Sequence, residues 1–395
     1  MTSPRLFKSA VLLCCVALTQ CGQRSAAPTG AYLPNAGVSD GPSVATYRIV
    51  HSFGKGTDGV TSQSPLINAD GALFGTTIRG GKLNEGTIFR VTPAGAERVI
   101  HSFGGSSDSG GAAGGLIASG GKLYGASPSA IFSMTYAGAE TVIYRFGSVL
   151  NDGSTPSGGV VAVNGKLYGV TLEGGKHFDG TVYSVSLSGS ERILHSFAGG
   201  KDGRDPVASL THLGNTFYGI TQFGGVYDRG TVFSVTPSGV EHVLHSFGGG
   251  ADGSIPIGTL CAYNGTLYGA TEEGGTHNDN GVVFSITTGG NERVLYSFGA
   301  SKADGVSPSA GLTAVNGVLY GTTILGGAFG SGEDGGTVFS VTPRGSERIV
   351  HSFGNGHDGQ NPAAELLNLN GTLYGTTSGG GAYGPLDGTV FSLRP

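Results

Sequence analysis

Three short motifs, each recurring seven times in strict rotation, predict an all-β chain folded as a seven-bladed β-propeller of four-stranded antiparallel blades. The first motif, His-Ser-Phe, ends at Phe53, Phe103, Phe197, Phe247 and Phe353, with relaxed forms ending at Phe146 and Phe298. The second, Leu-Tyr-Gly, centres on Phe74, Tyr124, Tyr168, Tyr218, Tyr268, Tyr320 and Tyr374. The third, Gly-Thr-Val-Phe, ends at Phe89, Phe132, Tyr183, Phe233, Phe284, Phe339 and Phe391. Glycine makes up 76 of the 395 residues, which alone would suggest low complexity. Here the glycines keep register with aromatic and β-branched residues, and so read as tight turns between short strands.

Each unit reads as four strands. After Asp304 they are expected at 310–315, 318–323, 337–342 and 347–353. Asn316-Gly317 joins the first two as a type I′ hairpin, a turn that needs positive φ at both residues, and Asn164-Gly165, Asn264-Gly265 and Asn370-Gly371 repeat it. The pattern opens at 47–53 with a fourth strand lacking the first three, and stops at 388–393 with a third strand lacking the fourth. Pairing strand 47–53 with strand 388–393 is therefore expected to complete the seventh blade and remove two open sheet edges. The second unit departs from the pattern, because Ser127-Pro128-Ser129-Ala130 replaces its Gly-Gly loop.

The chain divides into an expected signal segment at 1–20, a linker at 21–45 and the propeller at 46–395. Arg5 and Lys8 precede an apolar run at 10–19 that is too short for a bilayer span of about 20 residues. The run ends in Leu18-Thr19-Gln20-Cys21, which resembles the lipobox of bacterial lipoproteins and implies acylation of Cys21. Gln20 departs from the usual small residue, and the alternative is an ordinary cleaved signal with a soluble periplasmic or secreted product. On the first reading the protein is exported and held in the bacterial cell envelope only by its N-terminal lipid. Cys14 and Cys15 fall in the signal segment, leaving Cys261 alone in the repeats, so no disulfide framework is expected. Loss of residues 1–20 moves the formal charge from −5 to −7, and no basic cluster exists beyond them, which excludes nucleic acid as a natural partner.

The segments Val338-Phe339-Ser340-Val341-Thr342-Pro343, His351-Ser352-Phe353 and Leu373-Tyr374-Gly375-Thr376-Thr377 resemble the GloVer tandem repeat of choice-of-anchor proteins. The likeness covers residues 46–395. It implies an exported, surface-anchored protein with no assigned biochemical activity. The strand order is also similar to Kelch propellers, although the tryptophan of that repeat is missing.

Catalytic and metal chemistry finds little support in the repeated residues. Tyrosine replaces histidine at Tyr144 and Tyr296, so the His-Ser-Phe histidines read as packed side chains and no metal is expected. The Glu-Arg pairs (Glu97-Arg98, Glu191-Arg192, Glu292-Arg293, Glu347-Arg348) read as charges that protect an exposed outer strand. The Asp-Gly connectors, from Asp58 to Asp358, read as blade-to-blade turns without the ligand run of a calcium loop.

The residues that break the repeat lie in the loop between the second and third strands. Two positions beyond its Gly-Gly stand Leu83, His177, Tyr227, His277, Phe329 and Tyr383, and each loop carries an acid. His177, Tyr227, His277, Phe329 and Tyr383 are therefore candidate ligand-binding residues forming a crown on one face. Exposed rings interleaved with acids suit stacking on sugars and hydrogen bonding to their hydroxyls. In the competing reading, the rings fold onto neighbouring blades and the acids cap turns. The expectation is a monomeric, non-enzymatic binding or scaffold propeller without a cofactor, its partner a polysaccharide or an envelope protein. The alternative is a glycoside hydrolase or lyase with an unidentified active site.

Overall fold

The computed structural model describes residues 45–395, apart from 106–107, 112–113, 249 and 331–333. The expected signal segment, Cys21 and nearly all of the linker lie outside the described residues. Seven antiparallel four-stranded blades make up the structure, and no α-helix occurs among the described residues. The third blade shows the pattern: Gly153–Val163, Lys166–Gly174, Thr181–Ser186 and Glu191–Ser196, hydrogen-bonded in that order. First strands of neighbouring blades pack on one another, which makes them the innermost.

The first strands begin earlier than the sequence pattern indicated. In the sixth blade the strand appears as Gly305–Pro308 and Thr313–Val315, both paired with Val318–Gly326, rather than over 310–315. The break follows Ser307, whose φ of 54° is left-handed. In the third, fourth and fifth blades the strand is continuous, but its register jumps at the same place. That irregularity lets small residues meet at the axis. A Cβ on Gly158 would lie 2.7 Å from the Ala208 carbonyl carbon, and one on Gly258 would lie 2.1 Å from the Gly311 nitrogen. Backbone therefore packs directly on backbone between these innermost strands.

The motifs owe their composition to one cross-strand contact. The glycine of Leu-Tyr-Gly sits opposite the aromatic residue of Gly-Thr-Val-Phe, as in Gly75↔Phe89 and Gly321↔Phe339. The ring lies flat across the glycine, so that a Cβ on Gly321 would come within 2.5 Å of Phe339 Cζ and 2.7 Å of Leu312 Cδ2. Gly321→Ala is accordingly expected to cost about 2 kcal/mol through overpacking, measured by chemical denaturation. A loss below a few tenths would show that the blade can shift to admit the methyl group. The threonines flanking this contact are also paired: Thr77–Thr87, Thr171–Thr181, Thr221–Thr231 and Thr323–Thr337 hydroxyls lie 2.8 Å apart. Phenylalanines of His-Ser-Phe then join blade to blade, meeting the next blade's aromatic ring edge-on, as Phe53 meets Phe89 at 5.0 Å and Phe197 meets Phe233 at 5.1 Å. Such pairs contribute about 0.5–1.5 kcal/mol each beyond their burial.

The ring closes as expected. Thr46–Ser52 pairs antiparallel with Thr389–Arg394, and the Phe53 N–H donates to the Gly388 carbonyl. The Glu-Arg pairs behave differently from the expectation of simple edge charges. Neighbours along a strand point to opposite faces, and here both faces meet another blade. Arg192 donates to the Pro237 and Ser238 carbonyls of the following blade, and Arg293 donates to that of Pro343. The glutamates turn back toward the preceding blade and are half-buried there.

Candidate functional site

Strand direction puts the second-to-third-strand loops and the Asp-Gly connectors on one face. On that face the five candidate residues are all exposed: Tyr227 is 62% accessible, Tyr383 55% and Phe329 51%, and His177 and His277 are likewise open. Leu83 joins them, as do Phe178 and Leu386, which sequence reasoning missed. Their signal was an apolar residue in a loop with no strand to bury it. The rings therefore do not fold down. The acids of these loops do cap turns: Asp228 accepts from the Gly224 N–H at 2.9 Å and Asp279 from the Gly274 N–H at 2.8 Å. The second blade, with its tight Ser127–Ala130 turn closed by a 2.8 Å backbone bond, contributes no crown loop.

A repeated strained position anchors the crown. Thr61, Asp205, Ile255, Ser307 and Asn361 all have φ between 53° and 57°, an unfavourable region for β-branched residues in particular. Each donates its backbone N–H to the preceding blade's loop, at Asp387, Asp179, Arg229, Asn280 and Gly335 respectively. The backbone of these loops is thus tied to the start of the following blade's first strand.

One sector of the face is unlike the rest. Arg204, at a position occupied in the other connectors by valine, serine, glutamine or glycine, lies 4.7 Å from the Phe223 ring centroid. It also donates to Asp205 at 2.8 Å and reaches Asp228 at 3.3 Å. Burial raises the Asp205 carboxyl above the usual range, opposed by the Arg204 charge and reinforced by Asp179 and Glu173. Beside the Tyr227 loop, then, stands a polar cluster with an arginine held over an aromatic face. On the opposite face an open groove of about 470 Å³ lies between the first two blades, lined by Asp70, Arg90, Arg98 and Tyr136 among others.

Between the blades the structure assembles a second set of groups. Six of the seven seams join the ring of the His-Ser-Phe motif or its tyrosine form, the following connector aspartate and the next blade's glutamate. His51 Nε2 lies 2.9 Å from Asp58 Oδ2, His195 Nε2 3.1 Å from Asp202 Oδ1, and His245 Nε2 3.2 Å from Asp252 Oδ1. Tyrosine performs the same task where it replaces histidine: Tyr144 donates to Asp152 at 2.9 Å and Tyr296 to Asp304 at 2.8 Å. Glu97, Glu191, Glu241, Glu292 and Glu347 face these pairs. Burial above all, with the facing aspartate's charge adding to it, pushes each of their carboxyls up to about 7. At the closing seam Tyr47 takes the glutamate's place, stacking on His351 at 4.0 Å and donating to the Asp358 carbonyl.

With seven blades, a rotating motif set and these seams in view, comparison with known proteins is decisive on one point. The Gloeobacter/Verrucomicrobia repeat matches residues 127–334, more than half of the chain. The chain belongs to this family. In the Gloeobacter/Verrucomicrobia repeat as this chain carries it, one unit corresponds to one blade. No curated sequence matches the chain. Among solved structures, a gluconolactonase from Xanthomonas campestris aligns at 14% identity, over 69% of this chain and 82% of that one, with a TM-score of 0.40. A likeness at that level brings no argument about activity to this repeat protein.

Proposed function

We propose that this repeat propeller is a non-enzymatic binding protein of the cell envelope, tethered by lipid on Cys21, which presents its loop crown to a polysaccharide. The observation carrying this reading is the set of exposed rings on loops that are bonded to the neighbouring blade. An exposed ring on a fixed support gives up little conformational entropy on binding. Its face can cover the apolar face of a sugar, while loop carbonyls and the Arg204 cluster meet the hydroxyls. A glycoside hydrolase would need two carboxylates at a defined separation and free to act. Asp205 and Asp228 are instead both engaged by Arg204.

The test is a glycan-array screen of residues 22–395, with Tyr227→Ala/Tyr383→Ala as the paired variant. Binding lost in the double variant at an unchanged melting temperature is the expected result. Binding indifferent to both tyrosines would remove the crown from consideration. Shortened glycans released during the incubation would favour the enzymatic alternative.

A further inference from the structure

Among the inter-blade seams with histidine, one differs in geometry. At His51, His195, His245 and His351 the imidazole Nε2 lies within 2.9–3.2 Å of its aspartate, and tyrosine makes the same bond at two other seams. In those places the ring serves as a hydrogen-bond partner of the aspartate, a role that a phenol O–H also fills. His101, between the first and second blades, does not. Its Nε2 stands 4.0 Å from Asp108 Oδ2 and 3.3 Å from Glu140 Oε2.

Asp108 accepts from its own loop, Oδ2 from the Gly104 and Gly105 N–H groups and Oδ1 from that of Gly110, much as Asp304 accepts from Gly299, Ala300 and Gly305. What differs is the connector, where Ser109 stands in place of the usual glycine. Glu140 is drawn inward by the Ser109 N–H, which donates to Oε1 at 3.1 Å. Its side chain is only 7% exposed and that of Asp108 10%. The result is a buried His101 Nε2 and a buried Glu140 Oε2, facing each other without a hydrogen bond to either atom among the described residues.

We propose that His101, Asp108 and Glu140 bind one divalent transition-metal ion of the zinc class. Zinc bonds nitrogen and carboxylate oxygen at about 2.0–2.2 Å in tetrahedral geometry, which separates two ligand atoms by about 3.3 Å. His101 Nε2 and Glu140 Oε2 already have that separation. Asp108 Oδ2, now 4.0 Å from Nε2, completes the set with an inward shift of about 0.7 Å, and water takes the fourth position. An imidazole with two carboxylates is a donor set suited to zinc rather than to calcium or magnesium, which favour oxygen alone. The three groups within 4.8 Å of one another come from the first blade, the connector and the second blade, so the ion would staple two blades together. This site is independent of the crown and of its proposed ligand.

The experiment uses tag-free chain of residues 22–395, which omits the three N-terminal cysteines, stripped with a chelator and titrated with zinc by calorimetry. Cobalt(II) then serves as a spectroscopic probe of tetrahedral ligation. One ion per chain is expected, with a tetrahedral cobalt spectrum and a raised melting temperature. His101→Tyr should fold, because Tyr144 and Tyr296 occupy the equivalent position, yet weaken binding at least about tenfold, a loss that even outer partners of a metal site can cause. Glu140→Gln should do the same, and His195→Tyr should leave binding unchanged. Absence of zinc binding at about 100 μM, far weaker than structural zinc sites, would overturn the proposal. So would several equivalent ions, or binding that His101→Tyr and Glu140→Gln leave intact.

Discussion

Removal of residues 46–53 is expected to lower the melting temperature of the whole propeller by at least about 10 °C, not merely to fray one edge. The segment supplies the outer strand of the seventh blade, and its loss exposes the hydrogen-bonding edge of Thr389–Arg394. It also withdraws Phe53, which is fully buried and edge-on to Phe89 of the first blade, and Val50, which is 8% exposed. Each fully buried side chain of this kind contributes about 1.5–3 kcal/mol. Tyr47 adds its contacts with His351, Phe353 and Phe391. At about 2.1 cal/mol/K per residue, a propeller spanning 46–395 shifts by about 1.4 °C per kcal/mol, so a loss of about 7 kcal/mol from these contacts and the lost strand pairing gives a shift of the stated size. Calorimetry of the truncated and intact chains decides the matter, and equal midpoints would mean that closure contributes nothing to stability.

The second large effect is a fall in stability as the pH rises from about 5 to about 8. Glu97, Glu191, Glu241, Glu292 and Glu347 titrate near 7 in the folded chain, chiefly because burial disfavours their charged form. In the unfolded chain a glutamate titrates near 4.3. Between those values the folded state binds more protons than the unfolded state, so stability decreases with pH across this window. The benefit is fully present below about 4.3 and gone above about 7. Five groups act in the same direction, and burial of Glu272 and Glu273 raises their carboxyls as well. Melting curves at pH 5 and pH 8 should differ by several degrees, with the lower pH the more stable. Replacing Glu97, Glu191, Glu241, Glu292 and Glu347 by glutamine should flatten the profile. A wild-type midpoint that stays constant or rises over this range would contradict the assignment.

The architecture was legible because three motifs counted to seven and because the surplus strand at one end matched the deficit at the other. The crown was legible for a related reason: residues that vary inside a repeat stand out against its constant frame. The seams were not legible. His51, Asp58 and Glu97 are spread over two units, and only the stacking of one blade on the next brings them together. Read one unit at a time, Glu97 and Arg98 are surface charges. In the ring, the glutamate of each pair meets the preceding blade. The innermost strands were misjudged at their start because the left-handed residue after Asp-Gly is serine, threonine, isoleucine, aspartate or asparagine, with no glycine to mark it. The loop acids gave a mixed signal, since the same carboxylates that suit sugar hydroxyls also suit the backbone N–H groups of their own turn.

The closing seam bears on the order in which the molecule assembles. Blades one to six each gather four strands from one contiguous stretch, so their pairings join near neighbours in the sequence. The seventh unites Tyr47 with Leu393, the most distant kind of pairing the fold contains. Loop entropy penalises such a contact until the intervening chain is already compact. Chain emerging from its N-terminal side, whether from a ribosome or a membrane pore, therefore carries Thr46–Ser52 as a strand without a mate until the last residues arrive. Closure of the ring is expected to come late in folding, and until then two complementary edges in different molecules are free to find each other instead.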